Sequence, residues 1–161
     1  MIVMKFGGTS VESEEAVARV ASIVKAQAHR RPIVVVSAMG KTTNKLLAAA
    51  TEAAAGRRDR ALALIDELRA HHLFHGLALA GSSAADLDRY IRAHFDWLDE
   101  LVKGLSVVGE LSLRSMDAIA SVGERLSSLV VSFAFRAAGL DATHVDSGRV
   151  ILTDYPVTQA Q

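Results

Sequence analysis

No cysteine occurs in the 161 residues, so disulfides, thiolate metal sites and thiol nucleophiles are excluded together. That usage suits a reducing compartment, and a cytoplasmic location is expected. An excess of either charge is missing too, since 18 lysines and arginines balance 18 aspartates and glutamates. Without a basic surface to displace counterions from a phosphate backbone, nucleic acid is not an expected partner. Each apolar stretch is broken by charge before the roughly 20 residues that span a bilayer, so no membrane partner is expected either. The apolar part of Met1 to Gly8 is too short for a secretory signal and has no small-residue cleavage site. Proline is absent between Gly40 and Asp154, which leaves that long interval free to be helical.

What is present begins with a strand, Ile2 to Phe6, that breaks at Gly7-Gly8. Thr9, Ser10 and Ser13 then offer hydroxyls for capping, and Glu14-Glu15 favour the positive end of a helix dipole. Val17, Val20, Ala21, Val24 and Ala28 recur at the spacing of one buried face, predicting a helix from about Glu14 to His29. Pro32-Ile33-Val34-Val35-Val36-Ser37 is an unbroken β-branched run, the pattern of a parallel strand buried on both faces. The resulting β-α-β unit brings the two loops at its strand ends, Gly7-Gly8 and Ser37 to Thr43, next to each other. Beyond Lys45, four helices are expected, punctuated by Gly56, Gly76, Gly81, Gly104 and Gly109. Leu62, Ile65, Leu68 and His72 mark one apolar stripe, and Leu87, Ile91, His94, Leu98 and Val102 another. A last helix from about Ser115 to Ala138 ends at Gly139, Asp141 to Val145 reads as a third strand, and Val150 to Thr153 as the start of a fourth.

Three places could carry chemistry. Gly7 and Gly8 let the backbone approach an anion, the following helix points free N–H groups the same way, and Lys5 adds a full positive charge. Taken alone, a tight turn and a solvated strand lysine are the plainer reading of the same residues. Ser37-Ala38-Met39-Gly40-Lys41-Thr42-Thr43-Asn44 holds hydroxyls, a glycine and an amide at the mouth of a strand; a helix capped by Thr42 or Thr43 is the plainer reading. In Ser121-Val122-Gly123-Glu124-Arg125-Leu126-Ser127, a carboxylate beside a glycine could serve an ammonium group, or could be a surface Glu-Arg pair with a packing glycine. Elsewhere, His71, His72 and His75 lack a carboxylate or cysteine at ligand spacing, so no metal site is expected. The serines have no base and no nucleophile elbow, and Arg57-Arg58-Asp59-Arg60 reads as a solvated helix junction.

The joint occurrence and order of these segments resemble the aspartokinase branch of the amino acid kinase family. Lys5-Phe6-Gly7-Gly8-Thr9-Ser10-Val11 is similar to its opening signature. Val35 to Gly40 with Thr43-Asn44 is similar to its second loop, and Glu110-Leu111-Ser112 through Arg114, Asp117 and Ser121 to Ser127 to its helical signature. The resemblance implies an α/β fold, a three-layer αβα sandwich with a mainly parallel sheet as in carbamate kinases, here as the amino-terminal part of the catalytic domain with a helical insertion from about Lys45 to Gly109. It also implies phosphorylation of the L-aspartate side chain to 4-phospho-L-aspartate with ATP and Mg²⁺, the first step toward lysine, threonine and methionine. In that assignment Lys5 would stabilise the transferring phosphoryl group, and Gly7, Gly8 and Ser10 would line its passage. Ser37, Ala38 and Thr43 would hold aspartate, Glu124 would take its ammonium, and Glu110 has no role.

A nucleotide-base pocket and ACT regulatory domains have no counterpart in residues 1–161, so the chain by itself is expected to be inactive. An unpaired sheet edge would favour a homo-oligomer. A glutamate 5-kinase-like activity and a non-catalytic assembly or regulatory module are the rival readings.

Overall fold

The computed structural model describes residues 1–151. Strand β1 (Ile2–Phe6) leads through one 3-10 turn, Gly8–Ser10, into α1 (Glu14–Ala26). The Ser13 hydroxyl caps α1 by accepting the Ala16 N–H at 3.3 Å, and Ala16, Val17, Val20, Ala21 and Val24 form its buried stripe. The helix stops at Ala26, earlier than its periodicity suggests, because a 3-10 turn at Ala28–Arg30 and a left-handed Arg31 (φ 51°) redirect the chain into β2 (Pro32–Val36). The two strands pair in parallel, from Ile2 opposite Pro32 to Phe6 opposite Val36.

Among the described residues the sheet has these two strands and one covered face. Met4, Phe6, Val34 and Val36 pack on the core, whereas Val3, Lys5, Ile33 and Val35 point away from it and are exposed. The β-branched run therefore does not mark burial on both faces, because the helices lie against a single side. Segment 141–145 runs without a strand partner, so the expected third strand is not formed. Val150 closes a 3-10 turn and Ile151 N–H donates to Ser147 O at 2.9 Å, so neither is in a strand; residues 152–153 of the expected fourth strand lie outside the described residues.

Four helices follow as expected: α2 (Thr42–Ala54), α3 (Arg58–Leu79), α4 (Ala84–Val108) and α5 (Leu113–Ala137). Gly56, Gly81, Gly109 and Gly139 take positive φ at the breaks. Gly76 and Gly104 instead lie inside helices. At Gly76 an added Cβ would sit 3.1 Å from Ile91 Cδ1, so this glycine permits the close crossing of α3 and α4. On α4, Phe95 rather than His94 completes the buried stripe. Helix α5 is long and apolar enough to cross a membrane, yet Ile119, Val122, Leu126 and Val130 are buried at the centre of the core. It packs against α1 to α4 and β2, which is how one helix carries a signature from the far end of the sequence to the strand ends.

Candidate functional site

The two strand-end loops are bonded to each other. Ser37 N–H donates to Phe6 O at 3.1 Å, continuing the ladder, and Gly40 N–H donates to Gly8 O at 3.1 Å. A Cβ at Gly8 would lie 2.7 Å from the Ala38 carbonyl oxygen, so the approach requires glycine. The turn closes on itself through Ser10 N–H to Gly7 O (2.9 Å) and Val11 N–H to Gly8 O (3.2 Å), with Val11 fully buried beneath it. Among the described residues no acceptor is bonded to the N–H groups of Gly8 and Thr9. Lys5 stands on the open sheet face, and its Nζ is 3.9 Å from where a Gly7 Cβ would be.

That geometry moves the expected anion site. The start of α1 carries Glu14 and Glu15 in its first turn, Glu12 stands just before it, and Ser13 takes an N–H group there. An anion is repelled from such a helix end. The free donors belong to the 3-10 turn between strand and helix, beside Lys5.

The second loop also departs from its plainer reading. Helix α2 has no side-chain cap. The Thr42 hydroxyl donates back to Met39 O at 2.6 Å and is buried, whereas Thr43 reaches outward and donates to Glu124 Oε1 at 3.5 Å. Glu124 is brought there by Gly123: a Cβ on that residue would be 2.9 Å from Ala38 Cβ and 3.3 Å from Thr42 Cγ2. Helix α5 thus presses its bare turn onto the loop. Glu124 and Arg125 are not a pair. Arg125 binds Asp146 at 3.0 Å, Asp146 in turn accepts the Gly148 N–H at 3.1 Å, and Ser128 meets His144 Nε2 at 3.0 Å. Segment 144–148 is therefore fastened along α5 one turn from Glu124, a feature with no local signal in the sequence.

The structure accordingly brings Gly7, Gly8, Ser10, Ser37, Ala38, Thr43 and Glu124 into one corner, with Lys5 at its open side. Ser37, Thr43 and Glu124 are half-buried and Ala38 is buried. Glu110 is exposed, away from it. No group of three or more His, Cys, Asp or Glu side chains suited to a metal exists among the described residues. His72 is buried against Phe95, with ring centroids 5.6 Å apart, and His75 faces Glu14 at 3.6 Å.

Residues 1–161 match the family model described as the amino acid kinase family. The chain belongs to that family. Among relatives of this amino acid kinase chain, it is 37% identical to chloroplastic aspartokinase 2 of Arabidopsis thaliana, over 94% of this chain and 28% of that protein. The crystal structure of E. coli aspartokinase III in complex with aspartate and ADP superposes with a TM-score of 0.74 at 28% identity, covering 88% of this chain and 30% of that one. The complex of the same enzyme with lysine and aspartate gives 0.73 at 27% identity. This chain thus spans under a third of the length of these relatives.

Proposed function

We propose that this amino acid kinase chain forms the aspartate-gripping and phosphate-facing part of an aspartate kinase. The observation that carries the reading is the position of the Ala38 loop, bonded to the Gly8 turn on one side and pressed by Gly123 on the other, which sets an ammonium partner, Glu124, across from an anion turn. Support comes from the aspartokinase relatives and from a neighbour structure holding aspartate and ADP.

In this reading Glu124 and Thr43 take the α-ammonium of L-aspartate, and Ser37 and the Ala38 backbone orient its side chain toward Gly8. A side-chain carboxylate oxygen attacks the γ-phosphorus of ATP in line, the bond to ADP breaks, and 4-phospho-L-aspartate leaves. The free N–H groups at Gly8 and Thr9 with Lys5 offset the charge on the phosphoryl oxygens, while Gly7 and Ser10 shape the turn. The donors present fit a phosphate. With no side-chain group suited to a metal among the described residues, Mg²⁺ would be held by the nucleotide phosphates, where it would neutralise their charge. Residues 1–161 span under a third of the length of the relatives; in this reading they bind aspartate and by themselves produce no acyl phosphate. The enzyme is assigned to the cytoplasmic route toward lysine, threonine and methionine, as a homo-oligomer.

Titrating L-aspartate into the 161-residue chain by calorimetry tests this. Saturable binding is expected, weakened at least about tenfold in Glu124→Gln, as for a lost charge-assisted contact. No saturable binding by the unaltered chain overturns the assignment, and acyl phosphate trapped as a hydroxamate with ATP would refute the inactivity of the chain.

A further inference from the structure

We propose that Ala38, held between Gly8 and Gly123, is a spacer that fixes how long a dicarboxylic amino acid the site accepts. This inference rests on the aspartate-binding reading above and concerns the same site.

The two contacts fall on different atoms of one residue. On its backbone side, the Ala38 carbonyl oxygen would be 2.7 Å from a Cβ at Gly8, with Gly40 N–H donating to Gly8 O at 3.1 Å. On its side-chain side, the Ala38 methyl would be 2.9 Å from a Cβ at Gly123. The interval between the Gly8 turn and α5 is therefore one peptide unit plus one methyl group, in direct contact at both faces. Ala38 is 4% exposed and the adjoining Met39 is fully buried, so the loop has no room to retreat. Interiors packed to this density transmit a displacement rather than absorb it.

Glu124 follows Gly123 on α5, and Thr43 meets it at 3.5 Å. The Gly8 turn touches the Ala38 carbonyl and Gly123 its methyl, so on this proposal the thickness at Ala38 sets the span from the ammonium partner to the N–H groups of the turn. A substrate bridging that span has its ammonium at one end and its reacting carboxylate at the other. Aspartate and its next homologue, glutamate, differ by one methylene, and a carbon–carbon bond is about 1.5 Å. Moving two methyl carbons from 2.9 Å to an ordinary contact of about 3.5 to 4.0 Å shifts α5 by a comparable fraction of that length. Gly123 and Ala38 are positioning residues here: they act through Glu124 and the loop.

The test keeps count of methyl groups at the contact. Native protein has one, Gly123→Ala has two, Ala38→Gly has none, and the exchange variant with both substitutions has one again. The probes are L-aspartate and L-glutamate, titrated by calorimetry into each folded chain, with circular dichroism as the check on folding. The unaltered chain is expected to favour aspartate about tenfold or more, the scale of one methylene in a shaped pocket. That ratio is expected to fall at least about fivefold in either single variant, by widening in one and by loss of the stop in the other, and to return in the exchange variant. Should Gly123→Ala fail to fold, Ala38→Gly and the exchange variant still decide the matter. A purely structural role would lower both affinities together and leave the ratio alone, and an unchanged ratio in the folded single variants overturns the spacer. If the unaltered chain binds neither amino acid, the aspartate-binding reading falls, and the spacer with it.

Discussion

His72 shows how one buried side chain couples this fold to pH. Its Nδ1–H donates to Leu68 O at 2.8 Å, which leaves Nε2 unprotonated and without a partner among the described residues. Burial pushes its pKa from 6.5 down to about 4. A base whose folded pKa lies below its unfolded one is protonated first in the unfolded chain as pH falls. Its neutral, buried form is therefore fully compatible with folding above about pH 6.5, and stability is lost as pH drops from there toward 4. The gap between the two values corresponds to on the order of 3 kcal/mol. Urea unfolding at a series of pH values should show this decline in the native protein and a flatter one in His72→Leu. Equal slopes in the two would remove the histidine as its cause.

Elements depend on their ends, and α1 is the one whose end matters most to the site. Ser13 both accepts the Ala16 N–H and donates to Glu15 Oε2 at 2.8 Å, ordering the helix start just after the Gly8 turn. The hydrogen bond from Ser13 holds the Glu15 carboxyl below its usual range. Ser13→Ala should destabilise the chain by about 1 kcal/mol, a fall of about 3 °C in Tm for a chain of this size. Ser13→Asp keeps an acceptor at the cap and should melt near the native value. Identical losses in both variants would show that the cap contributes nothing. Helix α5 illustrates the opposite dependence. Its start is capped by Ser112, which accepts the Ser115 N–H at 3.1 Å, but its placement against the loops is set by the missing Cβ of Gly123.

At the scale of the whole molecule, the parallel sheet, two-stranded and with one bare face among the described residues, is the conspicuous feature. Val3 is 64% exposed, Ile33 49% and Val35 46%, side by side across the strand pair. Adjacent exposed β-branched residues beside open strand edges favour association with another chain. Sedimentation velocity of the 161-residue chain should show association that grows with concentration. Ile33→Lys with Val35→Lys should suppress it while leaving Tm within about 1 °C, as surface substitutions do. A chain that stays monomeric as concentration rises would count against the sheet face as a contact surface.

Much of this was legible before any coordinates. The apolar spacing of α1, α3 and α4, the Ser13 cap and the glycine stops are local signals, because backbone periodicity and end-capping act within a few residues. The three polar segments could be recognised as well, but their plainer readings were equally open: a turn, a capped helix, a surface ion pair. Sequence spacing says nothing about which buried faces meet, so only the packing of α5 on the strand ends shows that the three segments share one corner. They meet at Ala38, where the missing side chains of Gly8 and Gly123 allow three distant stretches to touch. The same packing left His144 and Asp146 tied to α5 through Ser128 and Arg125, with segment 141–145 not extending the sheet. It also covered the β-branched run of β2 on one side alone, because whether a strand is buried depends on the layers around it and not on its own residues.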